Sequence, residues 1–299
     1  MYILNFIRGF CMALADSVPG VSGGTIAFLL GFYDDFIGSL NSLIGKDNAA
    51  RKKGIIFLLK IGIGWVVGFC MAALFITSVF ESHIYQISSL FIGFILFAIP
   101  IIAMEEKEVL LGKYINVIWT IIGAALVTAI TYFSSSTLFS DGVNLAAGKF
   151  SVGIGVMIFL SGMIAISAMV LPGISGSTIL MIFGLYVPII TAIKDILHFK
   201  LQFIPAVAIF GIGVVTGALL IVKVIKYVLE HYRSQTVYFI IGMMIASIYS
   251  ITQGAKTLDT PKPALSFETF SIIFFIIGGA IIFGLQFMKT MGEKKGTEK

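Results

Sequence analysis

The sequence predicts an all-α polytopic membrane protein made of two inverted-topology repeats, and three observations carry that prediction. First, its 299 residues are 58% hydrophobic and only 12% charged, with a mean hydropathy of +1.05, which is far too apolar for a soluble chain of this length. Second, Pro19-Gly20-Val21-Ser22-Gly23-Gly24-Thr25 returns as Pro172-Gly173-Ile174-Ser175-Gly176-Ser177-Thr178 with its apolar flanks in register. The same spacing of 153 residues aligns Ile26 with Ile179, Gly31 with Gly184 and Tyr33 with Tyr186, so the chain is a duplication. Third, each half crosses the membrane an odd number of times, whether its motif region spans or dips in as a re-entrant hairpin, so the second half is inverted.

Apolar runs occur at residues 3–18, 24–44, 55–80, 86–104, 115–133, 150–171, 178–197, 203–229, 236–253 and 267–288. A span needs about 20 apolar residues, so several qualify and the first is short. Its Arg8 and Ala13-Leu14-Ala15 loosely imitate a secretory signal, but Arg8 interrupts the apolar stretch and the supposed cleavage site abuts the first motif, which argues against cleavage. Segments one and two form a pair around the first motif, because Pro-Gly and Gly23-Gly24 break any continuous helix. The shortness of segment one, with Arg8 and Asp16, favours a re-entrant hairpin there. Gly62, Gly64 and Gly68 follow in segment three and are echoed by Gly211, Gly213 and Gly217, a spacing that lets membrane helices approach closely. Segments four and five, separated by Glu105-Glu106-Lys107-Glu108, complete the half. A polar loop from Ser134 to Lys149 links the halves, and the second half repeats the plan: a motif-bearing pair, then three membrane segments. The whole is one integral membrane domain, residues 1–299, of two repeats at about 1–134 and 150–289 with a basic tail at 289–299.

The net charge of +5 is small, but its placement is informative. With the N-terminus inside, fifteen Lys and Arg residues fall on or near the inner face, the Lys46–Lys53 loop and the Lys223–Arg233 segment among them. Only Lys149, Lys194, Lys200, Lys256 and Lys262 fall outside. This positive-inside bias puts both termini in the cytoplasm. Cys11 and Cys70 lie in apolar segments and suggest packing, and His83, His198 and His231 are dispersed in loops, so no metal site is expected.

Non-helical backbone at membrane depth is tolerated where it is buried in protein or lines a wet cavity. In the two turns, Gly20, Gly23, Gly24, Gly173 and Gly176 leave backbone N–H groups accessible after Pro19 and Pro172, while Ser22, Thr25, Ser175, Ser177 and Thr178 add hydroxyls. Together these residues offer a seat for an anionic group such as phosphate. The alternative is plain helix capping by Ser and Thr. Asp16, three residues before Pro19, has no acidic counterpart, since Met169 stands at its place in the second copy. An ionisable group at this depth is usually functional or paired, with Arg8 a possible partner or simply a side chain snorkelling to the interface. Asp34 and Asp35 read as capping or solvent-facing residues.

Leu14 to Thr25, its echo at Pro172 to Thr178 and the chain length together resemble the PopT-type polyprenyl-phosphate translocases, over essentially the whole sequence. That resemblance implies return of undecaprenyl phosphate, the lipid carrier of cell-wall synthesis, from the outer to the inner leaflet of the bacterial cytoplasmic membrane. The expected partners are this lipid and the bilayer, with no nucleic acid, no cofactor and an open oligomeric state. The sequence contains no Walker A motif, so any drive comes from a proton or sodium gradient, with Asp16 as proton carrier, or from consumption of lipid at the inner face. The rival reading is an intramembrane polyprenyl pyrophosphate phosphatase, a family with inverted repeats, a carboxylate three residues before a proline and a Pro-Gly-x-Ser-Arg-Ser turn. Gly23 and Gly176 occupy the place of that arginine, and phosphoryl transfer needs charge neutralisation, which disfavours an enzyme. An anion channel using the same backbone dipoles is the third reading.

Overall fold

The computed structural model describes residues 2–16, 21–71, 77–134, 145–146, 151–257 and 261–297. Thirteen α-helices occur among them. In the first half these are α1 (Tyr2–Asp16), α2 (Gly23–Leu29), α3 (Tyr33–Ser42), α4 (Asn48–Met71), α5 (Thr77–Glu105), α6 (Lys107–Leu110) and α7 (Val117–Ser134). The second half has α8 (Val152–Val170), α9 (Gly176–Ile182), α10 (Tyr186–Leu197), α11 (Ile204–His231), α12 (Arg233–Gln253) and α13 (Ile272–Thr297). Among the described residues, six segments are long and apolar enough to cross a membrane, 48–71, 82–105, 114–133, 152–170, 201–231 and 233–256, and the bent pair 176–182 with 186–193 would make a seventh if it is one span. Thus α8, one arm of the second motif pair, has the length of a span, whereas the fifteen-residue α1 does not.

The apolar runs at 24–44 and 178–197 are each two helices rather than one. Gly31 and Gly184 both adopt φ 65, a left-handed conformation that glycine enters without a Cβ penalty. The Gly31 and Phe32 N–H groups donate to the Phe28 and Ala27 carbonyls, and the Gly184 and Leu185 N–H groups donate likewise to Met181 and Leu180. This paired closure satisfies the helix-end carbonyls and redirects the chain. Between α9 and α10 the bend is 111°. Phe32 and Leu185, the residues just past each bend, are buried and fasten it in the core.

Long helices pack in four pairs: α1 on α4, α8 on α11, α5 on α13, and α7 on α12. Exchanging the halves turns the first pair into the second and the third into the fourth. The contacts repeat at residue level, because a Cβ on Gly64 would lie 2.0 Å from the Phe6 carbonyl oxygen and one on Gly213 would lie 2.2 Å from that of Phe159. Likewise Gly93 abuts the Phe275 carbonyl and Gly242 that of Thr120. In a bilayer, where helix association depends on close packing, glycine at these crossings is what lets the backbones meet. Since α13 packs in the first-half pair and α7 in the second, the two halves are interlocked.

Outside the motif, a second tie joins the halves. Arg233, at the start of α12, donates from Nη1 to Asp34 at 2.7 Å and from Nε and Nη2 to both oxygens of Glu106, the former at 3.0 Å. Asp34 is therefore an ion-pair partner as well as a first-turn residue of α3. Ser134 of the linking loop ends α7, and beyond it only Leu145 and Ala146 of the loop are described, Leu145 buried with Ile158, Leu185 and Ile189.

Candidate functional site

Each motif copy interrupts the chain between a longer helix and a seven-residue one. Ser22 and Ser175 hold the N-cap positions of α2 and α9 with extended backbones, φ −131 and φ −92. Pro19 and Gly20 of the first turn lie outside the described residues.

The two turns, about 150 residues apart in sequence, touch. The Gly173 N–H donates to Thr25 Oγ1 at 2.8 Å. The Thr25 hydroxyl lies 3.0 Å from Ser22 Oγ, and Ser22 Oγ donates to the Leu171 carbonyl at 3.2 Å. One hydroxyl hydrogen per side chain fixes the direction of this chain of bonds, so Thr25 donates to Ser22. Ser22 Oγ also accepts the Thr25 N–H at 3.2 Å, the helix-cap bond. Tyr33 adds a further cross-link, its hydroxyl donating to the Val170 carbonyl at 3.2 Å. Gly24 sits so close to the end of α8 that a Cβ would come within 2.4 Å of the Val170 oxygen. Residues 21–30 are all buried.

Asp16 ends α1 directly beside α2. Its Oδ1 accepts the Gly23 N–H at 2.7 Å and its Oδ2 accepts the Trp65 indole N–H at 2.9 Å. Stacking of Trp65 on Phe69, with ring centroids 5.0 Å apart, orients the indole. The place offered to an anion at the first turn is thus taken by the chain's own carboxylate. Arg8 is not brought to Asp16; it donates to Asn5 Oδ1 at 3.1 Å and lies over the Phe32 ring at 4.7 Å, against the first bend. Two helical turns separate Arg8 from Asp16 along one straight helix, which keeps them apart. A cavity of about 280 Å³ opens beside the carboxylate, lined by Asp16, Gly23, Gly24 and Trp65 and, from the second half, by Met169 and Val170.

The second turn is built differently. Pro172, Gly173 and Ser175 are buried, but Gly176, Ser177 and Thr178 are partly exposed. Gly173 takes φ 92, with Met243 close against it. Ser175 makes no side-chain cap bond and pairs instead with Ser177, Oγ to Oγ at 2.7 Å. Two hydroxyls in one mutual bond retain one donatable hydrogen. Met169 occupies the place of Asp16, its Cβ 3.4 Å from where a Gly176 Cβ would be, and it brings no charge.

Sequence reasoning located the turns and Asp16 but missed three partners: Trp65, Tyr33 and the Arg233 cluster. Tyr33 carried a signal, since it recurs as Tyr186. Trp65 carried none, because indoles are common in apolar helices.

Residues 12–269 match the undecaprenyl phosphate translocase-like family. A polyprenyl-phosphate transporter of Vibrio cholerae is 32% identical over 270 residues, covering 86% of this chain and 80% of its own length. One of Staphylococcus aureus is 30% identical over 256 residues, covering 85% of this chain and 87% of its own. No solved structure matches.

Proposed function

Since the chain belongs to the undecaprenyl phosphate translocase-like family, we propose that it transports a polyprenyl phosphate from the outer to the inner leaflet of the bacterial cytoplasmic membrane. The returned lipid re-enters cell-wall synthesis, and both termini face the cytoplasm. The observation that carries this reading is the contact between the two Pro-Gly-x-Ser turns, through Gly173 N–H on Thr25 Oγ1. Polar, irregular backbone from both halves meets inside an apolar protein, as in transporters whose sites lie between inverted repeats. The helix pairing that survives exchange of the halves supports a two-fold relation between them, and an odd number of crossings in each half would make it inverted.

Phosphate is received at the second turn, where Ser175, Gly176, Ser177 and Thr178 present a spare hydroxyl hydrogen and backbone N–H groups with no carboxylate beside them. Pro172 and Gly173 shape that turn. On the first side Ser22 and Thr25 tie the second turn in place through Leu171 and Gly173, Gly24 packs against Val170, Gly23 is held by Asp16, and Asp16 is the charge that responds to a proton gradient. Protonation of Asp16 weakens its hold on the Gly23 N–H, which gives the phosphate one further donor. Arg8 anchors the first bend through Phe32.

The test is reconstitution of the full chain in vesicles with labelled undecaprenyl phosphate and, in parallel, with undecaprenyl pyrophosphate, scoring leaflet exchange and inorganic phosphate release in both. Exchange without release is expected. Release in step with exchange would make the protein a phosphatase, and neither would remove the reading.

A further inference from the structure

An apolar groove of about 500 Å³ lies between α11 and α12, with Trp119 of α7 at its side and Tyr33 and Leu171 at its base. Its size falls in the usual range for small-molecule sites, about 300 to 1,000 Å³. The walls are Ile221, Val224, Ile225 and Val228 from one helix and Phe239 and Ile240 from the other. Five of these six, all but Phe239, are β-branched and stiff at χ1, which limits rearrangement of the walls. Its outer end is polar, with Tyr232, Gln235 and Thr236 next to the α11–α12 connection.

The base of the groove connects it to the paired turns. Tyr33 lines the groove with its ring while its hydroxyl donates to Val170. Leu171 lines it too, and its carbonyl accepts from Ser22. The groove thus reaches Leu171, the residue before Pro172, so an amphiphile whose phosphate sits at the second turn meets apolar lining beginning next to that turn. Resting on the transport reading above, we infer that this groove holds the isoprenoid chain of the polyprenyl phosphate during transport. Its branched aliphatic walls and aromatic rings suit a methyl-branched, unsaturated hydrocarbon, and continuity with the turns selects the substrate's own tail over a bulk acyl chain.

The experiment uses the full chain in vesicles with two probes, a polyprenyl phosphate carrying a photoactivatable diazirine on its isoprenoid chain and a phosphatidylglycerol carrying one on an acyl chain. The isoprenoid probe should label residues 221–228 and 235–240, and excess unlabelled polyprenyl phosphate should displace it where phosphatidylglycerol does not. Labelling elsewhere, or equal displacement by phosphatidylglycerol, overturns the inference. Val224→Trp, which fills the groove, should cut that labelling and exchange of the long-chain lipid by about tenfold or more. Geranyl phosphate, too short to need the groove, should exchange as in wild type. Ile212→Trp, on an exposed face of α11, is the control and should change neither. The two readings fail separately: full-rate long-chain exchange by Val224→Trp overturns the groove alone, whereas groove labelling without any exchange by wild type overturns transport alone.

Discussion

The two motif copies are near-identical in sequence, yet the first is saturated and the second is not. At the first turn, Ser22 and Thr25 spend their hydroxyls on the contact with the other half, and Asp16 fills the position an anion would take. At the second, Ser175 and Ser177 bond each other, three residues stay partly exposed, and Met169 supplies no charge. Two differences in hydrogen-bonding groups separate the copies: Asp16 against Met169 outside the heptapeptide, and Gly24 against Ser177 within it. The lesson is that duplication supplies two similar turns, and a carboxylate on the neighbouring helix together with one added hydroxyl makes their hydrogen bonding unlike.

The largest expected effect comes from breaking the contact that makes the comparison possible. Gly173→Val forces a β-branched residue into φ 92, and its Cβ would sit 2.8 Å from the Met243 carbonyl oxygen. Strain and overpacking together should cost about 3 kcal/mol or more, seen as lost folded yield and a lower unfolding temperature in detergent. Gly176→Ala, whose Cβ would meet Ala165 O at 3.0 Å with no positive φ, should be milder. If both are equally tolerated, the turns are not held as described.

Next in size is Thr25→Val, which leaves the buried Gly173 N–H without its acceptor and should cost about 2 to 3 kcal/mol of stability. Thr178→Val, its counterpart on the open side, should change stability little. Equal losses would mean that the two copies are energetically alike.

Much of this asymmetry was legible in advance, and the reasons for what was not are specific. The register of 153 residues located both turns, Asp16 without a partner at 169, and the paired Gly31 and Gly184. Hydropathy alone could not see that those glycines end helices, because apolar runs at 24–44 and 178–197 continue through the bends. Which hydroxyl serves the fold and which is spare depends on approach of segments about 150 residues apart, and no local pattern encodes that distance. Arg233, Asp34 and Glu106 were visible as charges at segment ends, but their convergence depends on the interlocked packing.

Asp16→Asn tests the charge at roughly the next level, about 2 kcal/mol. An amide can accept only on its oxygen, so either Gly23 N–H or Trp65 Nε1–H loses its acceptor. If Asp16 also carries the coupling proton, transport by the variant should lose its pH dependence between about pH 5 and about pH 9. Normal transport across that range would make Asp16 structural only. The converse change, Met169→Asp, should give the second turn its own carboxylate and weaken lipid phosphate binding, with some loss of folded yield because Met169 and Asp16 line the same cavity.

The smallest effect is also the sharpest, because it compares equivalent serines. Ser22→Ala removes a cap bond and the link to Leu171, so its cost should appear in stability. Ser175→Ala removes no cap bond, so stability should hold while binding of undecaprenyl phosphate weakens by about 1.5 kcal/mol, the low end for a hydrogen bond to a charged group because Ser177 remains. Undecaprenol, lacking the phosphate, should bind weakly to wild type and respond to neither change. A double-mutant cycle in lipid binding then decides between the turns acting together and acting alone. Non-additive binding energies mean that Ser22 reaches the ligand through the Thr25–Gly173 contact, so closing the first turn and filling the second are one event. Additive energies, with the Ser22 term matched by its loss of stability, would leave the first turn as a cap and assign the phosphate to the second alone.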